Sequence, residues 1–407
     1  MTSDLDMRRT ARPLPLRLMR EVRSNALRRF VFGAGVGNLL ALRKFKRRKK
    51  HGKIFPPIVF VSATQRCNLS CRGCWATGAA NPADISADLL DKIVRESRTQ
   101  GCRFFGILGG EPLLLPWLPD FFAAHRNSYF QLFTNGRFLD DAVAQRLAAA
   151  GNVSPLISVE GVGPSYLARR DDSGMYAAAL GAIECCRKAG LVQGVATSVS
   201  VSNFKDTVSP AFIDEMLARG AHYVWYYIYR PSGPNPGFED ILTDGHVRDL
   251  RRFLVEQRRR VRSGVIIDTY WDERGNALCP TAAGINVHIA ATGDIEPCPP
   301  VQCSDCCVTM HGDTVAAVEG SAMLRAFQAE VPTVTDGCVL MDHPQALLRF
   351  AARHNAKDSS GRGSFFDELS QRPVCNCHNH SGDPIPEPTW MYRLAKKTLF
   401  FGFGAYG

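Results

Sequence analysis

Seven short runs of β-branched and aromatic residues recur between residues 58 and 270, and helical patterns separate most of them. They fall at 58–62, 103–108, 129–134, 156–160, 195–201, 222–229 and 265–270. After the first run, Ile85, Leu89, Leu90, Ile93 and Val94 repeat at helical spacing, with Ser86 placed to cap that helix and Gly101 to stop it. Residues 177–189 and 211–219 read the same way, the second stopped by Gly220. Strands alternating with helices of this length form βαβ units with right-handed crossovers, and so an α/β fold with a parallel sheet. Six or seven units predict a barrel or part of one, with chemistry gathered at the C-terminal ends of its strands.

The chain's 407 residues suit one large α/β domain with appendages, or two ordinary domains. Its charge, formally +10, is uneven. Residues 1–53 carry 16 Lys and Arg against Asp4, Asp6 and Glu21, leaving a body with three more acidic than basic residues. A body without excess positive charge does not attract phosphate, which argues against nucleic acid as the partner.

The basic segment 1–53 reads as a detachable N-terminal arm. Its best apolar stretch, 30–42, is about 13 residues long with three glycines, too short to span a bilayer, which takes about 20. Flanked by Arg28, Arg29 and the run 43–50, it would suit the face of an anionic membrane. A solvated helix with a disordered linker is the alternative, and packing of Phe30, Val31, Phe32, Leu39, Leu40 and Leu42 on the body would satisfy them equally. Without a secretory signal the chain reads as cytoplasmic, at the inner face of the membrane if the arm docks there. From about residue 275 the alternation dissolves into Gly, Pro and Cys with few long elements. This divides the chain into an arm (1–53), a barrel (54–274), a cysteine-rich module (275–345) and a tail (346–407).

The 14 cysteines are clustered, which favours metal ligation over disulfide staples. Cys67, Cys71 and Cys74 directly follow the first strand, and three thiolates so spaced can wrap one face of a cubane iron–sulfur cluster. Four ligands would close the cluster; three leave one iron open for chemistry. Zinc sites usually show paired knuckles, and no second one is near. The next strand runs into Gly109, Gly110, Glu111 and Pro112. Paired glycines let backbone approach a ligand, and a carboxylate there can accept from an ammonium group.

Together Cys67, Cys71, Cys74 and the GGEP segment, with the sequence from Thr64 to Leu69 around the first cysteine, resemble the radical S-adenosylmethionine (SAM) enzymes. One departure is Gly73, where that family often places an aromatic. The resemblance implies a partial (β/α)6 TIM-type barrel, a [4Fe-4S] cluster on the three cysteines and SAM at its open iron. It assigns the SAM amino group to Gly109, Gly110, Glu111 and Pro112. Asn135, in a Thr-Asn-Gly turn that is equally readable as an ordinary turn, and Ser158 with Glu160 at the fourth strand end are further cofactor contacts. Arg169 or Arg170 would meet the methionine carboxylate, or be a surface charge. Thr197, Ser198 and Ser200 would wall the adenine, and Tyr227 or Tyr229 would reach toward substrate.

Residues 288–298 look like the hairpin of SPASM or twitch modules, which implies a second, auxiliary iron–sulfur cluster on Cys279, Cys298 and Cys338. A fourth ligand is open among Cys303, Cys306 and Cys307, and buried thiols without metal are the alternative. Cys375, Cys377, His378 and His380 form a soft-ligand knot that could take zinc or finish a cluster. The implied chemistry is one-electron cleavage of SAM, fed by a donor such as flavodoxin or ferredoxin. The basic arm suggests a membrane-associated, lipid-like substrate, and the SPASM-like module a peptide. From another class, a non-catalytic iron–sulfur carrier or sensor is the competing expectation, against which the intact GGEP stands.

Overall fold

The computed structural model describes residues 6–398 except 163, 168, 171, 376 and 377. Its centre is a nine-stranded sheet. The strands are β1 (Ile58–Thr64), β2 (Phe104–Gly109), β3 (Tyr129–Thr134), β4 (Val153–Ser158), β5 (Gly194–Val199), β6 (Tyr223–Ile228), β7 (Val265–Ile267), β8 (Asn286–Ile289) and β9 (Ile295–Glu296). The first seven lie side by side in chain order, each parallel to the next, as the alternation predicts. Every residue of β6 is buried, because helices cover one face and the barrel interior the other. The expected helix after β1 spans Ala87–Thr99, and the Ser86 hydroxyl caps it by accepting from the Leu89 N–H.

The far end of the chain completes the sheet. β8 runs parallel along the free edge of β1, with Ile58 opposite Asn286, and β9 folds back antiparallel to make the hairpin expected over 288–298. The cysteine-rich segment therefore does not begin outside the barrel. Nor is it short of regular structure: helices occupy Thr314–Gly320, Ala322–Val334 and Pro344–Arg353. Two more short strands, β10 (Cys303–Ser304) and β11 (Lys357–Asp358), pair antiparallel.

The arm is not detachable. Its helices α1 (Leu14–Glu21), α2 (Ser24–Arg29) and α3 (Asn38–Lys49), with a widened π-helical segment Phe30–Gly37 between the last two, cross the end of the barrel where the strands begin. Arg17 is fully buried and donates to the carbonyls of Leu217, Ala221 and Ser263 at 2.7–3.2 Å. Arg23 N–H reaches Gly190 O at 2.9 Å, Asn25 Nδ2 reaches Ala148 O at 3.1 Å, and the Phe30 ring lies 5.9 Å from that of Tyr129. These partners stand just before or at the first residues of β3 to β7. The arm's positive charge is thus spent partly on backbone carbonyls, which is why a run of arginines can pack on a protein body. Phe32, Val36 and Leu40 stay exposed in a stripe at four-residue spacing. Among the described residues no helix is long and apolar enough to cross a membrane.

The tail is also anchored. Helix Trp390–Thr398 buries Lys396, whose ammonium donates to Asp268 at 3.0 Å, and Arg258 meets Glu387 at 2.7 Å. This C-terminal helix is therefore partly core: Tyr392 and Lys396 face inward. At the start of the strands the barrel interior is filled by Gln131, Ser154 and Tyr223, which hydrogen-bond one another at 2.7–2.8 Å. The cavity of the cysteine loop lies at the opposite, C-terminal ends of the strands.

Candidate active site and second cysteine cavity

The loop after β1 carries Cys67, Cys71 and Cys74, and its base is clamped twice. Gln65 and Ala83 exchange hydrogen bonds at 2.8–2.9 Å, and Thr64 Oγ1 donates to Asp84. The end of β2 is stitched onto the same loop by Gly110 N–H to Thr64 O (2.7 Å) and Glu111 N–H to Arg66 O (2.9 Å). That contact requires glycine. A Cβ at Gly109, which has φ +131°, would strike the Thr64 carbonyl, and one at Gly110 would strike that of Arg66. Paired glycines here dock two strand ends as well as exposing backbone.

All three sulfur-bearing residues line one cavity at the C-terminal ends of the strands, together with Gly109, Gly110, Asn135, Ser158, Glu160 and Arg169. Burial pushes the Cys67 thiol up to about 12 and raises Cys74 as well. Both are therefore protonated at neutral pH, and a metal must displace their protons to bind.

Glu111 and Pro112 do not line this cavity. The Glu111 carboxylate is buried and accepts from Thr134 Oγ1 (2.8 Å), Asn135 N–H (2.8 Å) and Leu113 N–H (3.1 Å). Of that segment, Gly109 and Gly110 line the cavity. What Glu111 does is fix the turn after β3. That turn presents Asn135, whose Nδ2 donates to Asn68 Oδ1 at 2.9 Å and lies 4.0 Å from the Cys67 sulfur.

Glu160 accepts from Arg169 (3.0 Å), Arg170 (3.1 Å) and the Ser198 N–H (3.0 Å). Two guanidinium groups on one buried carboxylate leave one positive charge in surplus. Burial acts to lower Arg170, but the pull of Cys71 and Glu160 outweighs it and holds its pKa above the ordinary arginine value. The site thus favours added negative charge: thiolates, a substrate carboxylate, or both. Of the adenine-wall candidates only Ser198 reaches the cavity, with Ala196; Thr197 and Ser200 are buried away from it. Tyr227 and Tyr229 both line it. Trp75, Phe133, Arg230, Tyr270 and Pro300 also line it and were not predicted: Trp75 directly follows Cys74 on the cysteine loop, while the other four come from separate strand ends and loops that no local motif joins.

A second, smaller cavity is ringed by Cys279, Cys298 and Cys338, brought together from the loop before β8, the β9 hairpin and the start of helix Val339–Asp342. Burial raises Cys279 to about 11 and Cys298 further. None of the expected fourth ligands lines it. Cys303 sits in β10, the Cys306 thiol donates to Ala317 O at 3.3 Å, and Cys307 lies 3.0 Å from Thr309 Oγ1. Of the soft-ligand knot, Cys377 lies outside the described residues, Cys375 and His380 are half-buried and do not line the cavity, and His378 lines it. The two cavities share Arg230 and Tyr270, stacked with the guanidinium 4.7 Å from the ring centre.

These donor sets fit the groups the resemblance implies. Three thiols on one cavity leave one corner of a [4Fe-4S] cluster open, bare backbone lies beside it, and surplus positive charge faces it.

Residues 61–205 match the Radical SAM superfamily. The chain is 25% identical to Fe-coproporphyrin III synthase of Methanosarcina barkeri over 226 residues, 54% of each chain. It is 30% identical to pre-heme d1 synthase of Dinoroseobacter shibae over 156 residues, 36% of this chain and 37% of the relative. With mycofactocin maturase MftC of Mycolicibacterium smegmatis it shares 28% over 253 residues, 58% of this chain and 62% of the relative. It thus spans between about a third and two thirds of the length of these relatives. The crystal structure of Streptococcus suis SuiB bound to S-adenosylmethionine shares the fold, with TM-score 0.53, 14% identity and 63% of each chain covered. The cysteine loop, the parallel barrel and the match agree that residues 61–205 form a radical SAM domain.

Proposed function

We propose that this protein is a radical SAM enzyme that modifies a peptide or protein. The observation that carries the enzyme reading is the single cavity joining Cys67, Cys71 and Cys74 to the bare backbone of Gly109 and Gly110. When bound, cluster and SAM supply one-electron cleavage of a carbon–sulfur bond, giving methionine and a 5′-deoxyadenosyl radical. The chain's residues bind and orient. Arg169 and Arg170 meet a carboxylate, Ser158 and Ser198 offer hydroxyls, and Trp75, Phe133 and Tyr227 wall the cavity against water. Support for a peptide substrate comes from the mycofactocin maturase, whose matched length exceeds the 61–205 segment, and from the second cysteine cavity behind the first. A small redox protein such as flavodoxin or ferredoxin would deliver the electron.

A second reading, a membrane-associated substrate, is favoured by the exposed stripe of Phe32, Val36 and Leu40 beside the basic run of α3. Flotation of the full chain with anionic vesicles tests it, and serine at those three positions should abolish flotation. For the enzyme reading, the anaerobically reconstituted protein is given dithionite and SAM, and 5′-deoxyadenosine is measured. No product from wild type with a complete cluster would overturn the reading. Product surviving replacement of the three cysteines would overturn the site.

A further inference from the structure

We propose that His378 is the fourth protein ligand of the auxiliary iron–sulfur cluster, completing a Cys3His set with Cys279, Cys298 and Cys338. This rests on the reading that the second cavity holds such a cluster.

His378 is 1% exposed, and neither ring nitrogen makes a well-formed hydrogen bond, the Leu278 backbone alone lying near the ring as a polar partner. Buried polar atoms nearly always have partners, so at least one nitrogen of this buried ring marks a missing neighbour. The ring lines the same cavity as the three thiols. Its position is held from both sides: Trp271 Nε1 donates to the His378 carbonyl at 2.9 Å, and the ring packs 5.1 Å from that of Tyr270. Farther along, Ser381 N–H is tied to Asp244 at 2.8 Å, and Cys375 N–H to Met341 O at 3.0 Å. The described residues on either side are therefore tied to the body, and the His378 ring is turned into the cavity.

The metal is a cluster and not one ion. Among the described residues no three His, Cys, Asp or Glu side chains stand close enough to grip a single metal. Donors spread around a cavity suit the greater span of an iron–sulfur core. Imidazole in place of a thiolate is known in such clusters and raises the potential, since a neutral ligand stabilises the oxidised iron less than an anionic one.

The test isolates the second site in the full chain by replacing Cys67, Cys71 and Cys74 with alanine. The protein is reconstituted anaerobically with iron and sulfide, and iron, acid-labile sulfide and zinc are counted per chain. Pulsed EPR of the reduced protein carrying 15N-histidine reads the ligand. We expect a retained cluster with histidine-nitrogen coupling. Adding His378→Ala should lose both. His378→Cys should keep the cluster, lose the coupling and lower the midpoint potential. The proposal is overturned if His378→Ala leaves cluster and coupling unchanged, if Cys375→Ala empties the site and His378→Ala does not, or if zinc fills it. It is also overturned if the three-cysteine variant takes up no cluster while wild type still cleaves SAM, and that outcome leaves the proposed activity standing. Wild type that holds both clusters yet gives no 5′-deoxyadenosine would sink the activity and leave the ligand assignment intact.

Discussion

The Tyr229 side chain, from the end of β6, fills the space that any side chain at Gly73 would need. Its hydroxyl donates to Pro236 O, and its ring lies 4.4 Å from the Arg169 guanidinium. This accounts for the departure from the family pattern at position 73: the aromatic group beside the third cysteine comes from a different strand. Gly73→Ala should therefore fail sterically, and also through its backbone, which sits at φ +69°. A loss of about 1–3 kcal/mol is expected, with poor cluster uptake, read by thermal unfolding and iron content. In a Tyr229→Ala background much of that penalty should vanish. An equal loss in both backgrounds would refute the contact.

Glu111→Gln should be severe although it conserves shape. The carboxylate accepts three hydrogen bonds, and an amide placed against the Asn135 or Leu113 N–H sets donor against donor. We expect about 1–3 kcal/mol lost and reduced SAM cleavage through a displaced Asn135. Chemical denaturation and 5′-deoxyadenosine yield check it. A stable Glu111→Gln protein with unchanged SAM affinity would return Glu111 to a role as direct ligand.

The arm's attachment should be acid-sensitive. Burial pushes the Glu21 carboxyl up, but His222 and the Arg17 fork outweigh it and hold it at about 2. Arg17, at 2.9–3.1 Å, is the stronger influence, since His222 at 3.6 Å is beyond a good hydrogen bond. A depressed carboxyl stabilises the fold above its ordinary value of 4.5, and that stabilisation is lost as pH falls toward 2. The difference between wild type and Glu21→Gln should be about 3 kcal/mol at pH 6 and shrink steadily below pH 4.5. A difference independent of pH would be contrary evidence.

Behind Trp75, Ser62 Oγ lies 2.8 Å from His288 Nε2, and His288 Nδ1 lies 2.6 Å from Glu296, which also accepts from Ser359. Burial holds His288 near 3 and raises Glu296, both acting toward an uncharged pair. A protonated Glu296 donates to His288, and glutamine can do the same. Glu296→Gln should thus change stability by under about 1 kcal/mol, while Glu296→Leu, which orphans His288 and Ser359, costs about 1–3 kcal/mol. Urea denaturation of both variants decides, and a damaging Glu296→Gln would mean that Glu296 is ionised.

Much of this was readable beforehand where the signal is local. The strand–helix alternation, the Ser86 cap and the hairpin around Gly293 all lie in short stretches of sequence, and the resemblance to SPASM or twitch modules supplied the grouping of Cys279, Cys298 and Cys338. What escaped is long-range. That Glu111 faces inward depends on β3 beside it, and that Arg17 is buried depends on carbonyls some 200 residues away. Charge composition made the arm look separable because it counts charges and not their partners. His378 stood in a motif readable either as ligand or as tail, and only its packing against Tyr270 and the cavity tells them apart.

The arm sits where the strands begin, and the cysteine cavity opens where they end. Strands of six or seven residues put about 20 Å of packed barrel between the two. A surface that holds the Phe32, Val36 and Leu40 stripe therefore holds the molecule with its reactive mouth turned away. Even if a membrane berths this protein, whatever it modifies must arrive from the aqueous side, as a chain or molecule long enough, or free enough, to reach the opposite pole.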